Sequence, residues 1–135
     1  MVAINFTLES TYVESLELTK QKVTENGIEL EVDRVYSKDN ESGFCISFEL
    51  MLCSVEGFML KVIYVAKFSA TQPLTKEFKS SAFPYVNAPA IGYPYLRAFV
   101  STLLLNAGHA PAVLPTINFQ AKYNKEQEAK KLVSE

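Results

Sequence analysis

The chain has 135 residues, of which 48% are hydrophobic and 21% charged, enough for one domain with a real core and too few for two ordinary ones. Its net charge of -2 provides no basic field for phosphates, which argues against nucleic-acid binding. No apolar run is long enough to span a bilayer, and "MVAINFTLES" lacks the charged and apolar regions of a signal peptide.

The first half alternates with period two. Ile4, Phe6, Leu8, Tyr12, Leu16 and Leu18 share one parity and predict a long half-buried strand with a bend near Ser10. "TENGIEL" predicts a turn at Asn26-Gly27. Ile28, Leu30, Val32 and Tyr36 then mark a second strand, and Phe44, Ile46, Phe48, Leu50 and Leu52 a third. After a turn at Glu56-Gly57, Phe58, Leu60, Val62, Tyr64 and Phe68 mark a fourth. The short connections favour an antiparallel meander over residues 3–69. The outer face of the last two strands carries Met51, Cys53, Met59, Ile63 and Val65 among polar residues. That surface is open to cover by a terminus or a second subunit, or to ligand contact.

Residues 70–90 show no periodicity and predict a crossover loop. Its aromatics, Phe78, Phe83 and Tyr85, either pin it down or line a groove. Pro94 belongs in a first helical turn, which predicts a helix over residues 91–106. Tyr95, Leu96, Phe99, Val100 and Leu103 make that helix apolar on two sides, one for its own sheet and one for a second subunit. Gly108 suits a left-handed helix end. Pro111 and Pro115 keep the next segment extended, and Asn118 caps a last helix over residues 119–132, whose end, "EAKKLVSE", reads as solvated and frayed.

Catalytic chemistry is poorly supplied. There is one histidine, His109, with no nucleophile or acid beside it in sequence, and it reads as a loop residue after the helix cap. There is no phosphate loop and no GxGxxG motif. Cys45 and Cys53 lie ~26 Å apart on one strand, beyond disulfide reach, and no cysteine–histidine cluster suggests zinc. The sequence therefore implies no enzyme, no metal and no cofactor. It does imply excess apolar and aromatic surface, suited to holding extended polypeptide in a cytosolic oligomer. An oligomer binding a small apolar molecule beside His109 is the other reading.

The segment "FPYVNAPAIGYPYLRAFVSTLLLNAGHAPAVLPTINF" resembles the SecB family of protein-export chaperones, through Pro94, Tyr95, Arg97, Gly108, Pro115, Asn118 and Phe119. The resemblance implies an α+β fold: a four-stranded antiparallel sheet, a crossover loop and two helices. It implies a homotetramer, a dimer of dimers packed through the long helix. It also implies an ATP-independent holdase gripping unfolded clients in a groove formed by Leu30, Val32, Phe78, Phe83, Tyr85, Val113, Leu114, Ile117, Phe119 and Tyr123. Against the family's coupling to SecA stand Ser15, Thr19 and Lys61, where acids are expected, and a C-terminus unlike the family's zinc-linked tail. A SecB-like chaperone serving a toxin–antitoxin pair is the alternative the resemblance leaves open.

Overall fold

The computed structural model describes residues 5–134, with side chains to Leu132. Ile4 and the expected sheet start at residue 3 lie outside the described residues. Four strands, β1 (Phe6–Lys20), β2 (Gly27–Tyr36), β3 (Gly43–Ser54) and β4 (Phe58–Ala70), form one antiparallel sheet in the order β1-β4-β3-β2. Helices α1 (Lys76–Ser80), α2 (Asn87–Asn106) and α3 (Phe119–Ser134) follow.

The order corrects the simple meander. Only β2, β3 and β4 follow one another in space, while β1 lies beside β4, which is a Greek-key arrangement. Asn26-Gly27 is therefore no hairpin turn. Residues 21–26 cross the end of the sheet over ~14 Å, within the reach of six extended residues. Two bonds hold them to the β3–β4 turn: Gln21 N–H donates to the Gly57 carbonyl at 2.9 Å, and Val55 N–H donates to Asn26 Oδ1 at 2.8 Å. Gly57 takes φ +108° there, a conformation side chains disfavour.

The core lies between the inner sheet face and α2. Phe48, Leu50, Leu60, Val62, Ala66 and Phe68 come from β3 and β4, and Ala88, Tyr93, Leu96, Val100 and Leu104 from α2. At Gly92 the helix touches the sheet. A Cβ there would sit 2.9 Å from that of Ala66 and 3.1 Å from the Phe48 ring.

The bend in β1 consists of two bulges, between Leu8 and Ser10 and between Val13 and Ser15. Each shifts parity by one residue, so the second undoes the first. Phe6, Leu8, Leu16 and Leu18 pair with inward residues of β4, but between the bulges the faces exchange. Tyr12 pairs with outward Val65, and Thr11 turns inward to accept a 2.9 Å bond from the Tyr64 hydroxyl.

The helix expected over 91–106 begins four residues earlier, so Pro94 sits inside α2. Proline removes the bond to the carbonyl of Ala90, but Ala90 and Pro94 are both exposed, where water can take that carbonyl. At the other end Gly108 has φ +93°. Its N–H donates to Leu105 and that of His109 to Leu104, the paired bonds of a Schellman cap. The segment expected as a loop over 70–90 contains α1, capped by Thr75 Oγ1, which accepts from Phe78 N–H at 3.0 Å. Phe78 and Phe83 stack on Phe6 at 4.8 and 4.4 Å and close that end of the sheet.

Candidate functional site: a groove along the β2 edge

β2 is an edge strand, and its inner face is only half covered. Leu30, Val32, Arg34 and Tyr36 face inward, opposite Leu50, Phe48, Ile46 and Phe44 of β3. Three recesses lie along this face. Near Ile28 is one of about 350 Å³, walled by Leu52, Phe58 and Ala110–Ala112. In the middle is a narrow cleft between Val32 and Arg34 below and Tyr85, Lys122 and Tyr123 above. At the far end is one of about 550 Å³, between Tyr36, Lys38, Leu74 and Lys79. From Ile28 to Tyr36 the strand runs ~27 Å, the length of about eight extended residues.

The walls are aromatic. Tyr85 and Tyr123 lie 5.5 Å apart, and the Arg34 guanidinium lies 4.1 Å from the centre of the Tyr85 ring while donating to the Val32 carbonyl at 2.9 Å. Lys79 Nζ lies 4.9 Å from the centre of the Tyr36 ring. Burial raises the pKa of Tyr36, Tyr85 adds to that rise, and Arg34 opposes it. The Tyr36 hydroxyl is buried and makes no hydrogen bond among the described residues. The loop above the groove is tied down by the Tyr93 hydroxyl, which donates to the Pro115 carbonyl at 2.6 Å.

The residues expected to line the groove separate into three groups. Leu30, Val32, Tyr85, Ile117 and Tyr123 are half-buried. Val113 is 80% exposed on the loop. Leu114 at 1% and Phe119 at 5% belong to the core, where Phe119 packs edge-on against Tyr93 at 5.7 Å, and Phe78 and Phe83 anchor the aromatic cluster. The helix residues expected at a subunit interface divide likewise. Leu96 and Val100 face the sheet and are fully buried, Phe99 stacks on Tyr64 at 5.5 Å, Leu103 is half-buried, and Tyr95 is 49% exposed. The outward stripe of α2 is Ile91, Tyr95, Ala98, Thr102 and Leu105, at alternating steps of four and three.

Arg34, Lys79 and Lys122 are the groove residues that sequence reasoning missed. Arg34 left a signal, because it is a charge at an inward parity of β2. His109 lies 4.2 Å from the Phe58 ring and closes the helix cap. Among the described residues no cluster of His, Cys, Asp and Glu suits a metal, and no helix is long and apolar enough to cross a membrane. On the opposite sheet face, Glu17, Glu29, Glu31 and Glu49 surround Lys61 in a separate concavity of about 570 Å³.

An antiparallel sheet carrying two long helices, with an aromatic groove on its edge, is an α+β protein of the SecB-like kind. The family described as "Preprotein translocase subunit SecB" matches residues 5–130, and the chain belongs to the SecB family. The chain is 28% identical over 110 residues to a protein-export protein SecB of Magnetococcus marinus, covering 76% of this chain and 67% of that protein. It is 46% identical over 44 residues to one of Methylibium petroleiphilum, covering 33% of this chain and 27% of that protein. Among solved structures it is similar to a SecB-like chaperone of Mycobacterium tuberculosis in complex with a peptide from an antitoxin. The TM-score there is 0.65 at 14% identity, with 83% of this chain and 89% of the other covered. A Streptococcus agalactiae protein of unknown function superposes with a TM-score of 0.54 at 10% identity, covering 85% of this chain and all of the other. These two likenesses carry the fold.

Proposed function

We propose that the protein is an ATP-independent holdase that binds non-native polypeptide along the β2 edge. The observation that carries this is the half-covered inner face of β2, an apolar and aromatic strip on an edge strand, interrupted by Arg34. Such a strip takes extended chain: alternate client side chains enter the recesses, and the open strand edge offers backbone hydrogen bonds. Each client Leu or Phe buried there contributes ~1.5–3 kcal/mol, with no covalent step. Leu30, Val32, Tyr85, Ile117 and Tyr123 form the grip, while Phe78, Phe83, Leu114 and Phe119 support it from beneath. The peptide held by the M. tuberculosis structural neighbour supports the assignment of a polypeptide ligand.

The chain works as a cytoplasmic homo-oligomer, a dimer of dimers. Ile91, Tyr95 and Leu105 on α2, with Val13 and Leu16 on β1, are apolar and exposed in the single chain and would be covered by other subunits. Several grooves on one particle then act together through effective concentration. Service in export and service to an antitoxin would use the same groove. A neighbouring toxin–antitoxin gene pair points to the second setting, and co-sedimentation with SecA to the first. The holdase activity is tested by light scattering from a slowly refolding client, with stoichiometric protein and no ATP. Suppressed aggregation is expected; undiminished aggregation overturns the assignment.

A further inference from the structure

We infer that the groove selects apolar client segments that carry Asp or Glu side chains, held by Arg34 and Lys79 with the Tyr36 hydroxyl. The inference rests on the holdase assignment and specifies its ligand. The chain as a whole is acidic, at -2, yet its groove is not. The middle and far recesses carry Arg34, Lys38, Lys79 and Lys122 against Glu41 and Glu126, an excess of positive charge. Among the described residues no carboxylate pairs with any of these four, whereas Lys67 pairs with Glu9 at 3.6 Å and joins β4 to β1.

The arrangement of donors points the same way. Arg34 spends one N–H on the Val32 carbonyl and lies over the Tyr85 ring, which leaves other donors of its fork directed elsewhere. Two residues along the same face, Tyr36 carries a buried hydroxyl without a partner among the described residues, beneath Lys79. Guanidinium, ammonium and phenol are all donors, and a buried donor left unmade is costly. A carboxylate is the acceptor that satisfies guanidinium and phenol together, and the low-dielectric aromatic walls strengthen the pairing. The cations come from β2, the loop after it, α1 and α3 and are spread along the groove. That spread suits several acidic side chains within a segment better than one terminal carboxylate.

The test uses the full-length protein and labelled apolar peptides of about eight residues, matched to the groove's length. Both peptide ends are blocked, which removes the terminal carboxylate, and two central positions are Glu, Gln or Lys. Fluorescence anisotropy should show the Glu peptide binding about tenfold tighter than the Gln peptide, with the Lys peptide weakest. In an Arg34→Gln, Lys79→Gln variant the Glu–Gln gap should close, the ratio of Glu-peptide to Gln-peptide affinity falling to about one, whatever the change in the Gln peptide's own affinity. Tyr36→Phe, which preserves packing, should narrow the same gap and covers the case in which the double variant does not fold. Equal binding of Glu and Gln peptides, a preference for Lys, or a gap that survives in the variants overturns the inference while leaving the holdase intact. Failure of all three peptides to bind removes both.

Discussion

Replacing Gly92 by alanine tests whether α2 lies on the sheet as closely as described. The added methyl would meet Ala66 Cβ at 2.9 Å and the Phe48 ring at 3.1 Å and 3.3 Å. Both neighbours are fully buried, so neither yields without moving others. Overpacking of this kind costs ~1–3 kcal/mol. Alanine returns ~1 kcal/mol through its better helix propensity. Because both neighbours are fully buried, the cost lies in the upper part of that range, ~2–3 kcal/mol, and the expected net loss is ~1–2 kcal/mol, a fall of about half a molar to one molar in the urea midpoint. Unfolding is followed by circular dichroism at one fixed protomer concentration, because assembly contributes to stability. Adding Ala66→Gly should recover part of the loss, so that the two changes together cost less than the sum of each alone. A Gly92→Ala variant as stable as the parent, or more so, would refute the close approach of α2 to β4.

Gly108→Ala should cost ~1 kcal/mol in the same assay, because a Cβ is disfavoured at its positive φ, while Gly27→Ala, with open space around it, should cost less. Leu105→Asp, on the exposed stripe of α2, should lower the particle mass measured by light scattering while the circular dichroism spectrum stays that of a folded chain. Phe119→Asp should lower the melting temperature by burying a charge, whereas Tyr123→Asp at the half-buried rim should leave it nearly unchanged and weaken client binding. Burial raises the Tyr93 and Tyr36 hydroxyls above the ordinary tyrosine value of 10.0, so the unfolded chain loses these protons first. The contribution of these two hydroxyls should be flat below that pH and decline as pH rises through it, read as a falling urea midpoint; a midpoint that rises would contradict the burial of both groups.

Most of the sheet was legible because period two leaves little freedom. Phe44 to Leu52 and Phe58 to Phe68 alternate without interruption, and so they lie, inward on one face. Strand order was less legible, since the chain from Lys20 to Gly27 is long enough to turn back or to cross two strands, and only the bonds to the β3–β4 turn decide. Tyr12 was misread because paired bulges preserve the parity of the flanking residues and hide the exchange between them. Pro94 misplaced a helix start because its cost depends on whether the carbonyl of Ala90 faces water, which is a tertiary fact. At the groove, sequence reasoning named the right segments but not their depth. Leu114 and Phe119 differ little in type from Ile117 and Tyr123, and packing alone sends the first two into the core. Arg34 was overlooked for the opposite reason, since a charge within an apolar parity reads as an interruption of the pattern.

The crossing of the sheet by residues 21–26 also fixes an order of events during synthesis. β1 leaves the ribosome before the other strands but pairs with β4, so that Phe6 must find Ala70 across 64 positions of chain. The β2–β3–β4 hairpins close over short loops and are complete as soon as Ala70 emerges, whereas β1 waits for them. Until it docks, the long edge of β4 stands open to other chains. A protein that would shield the unpaired strands of others thus passes through a stage in which one of its own is unshielded.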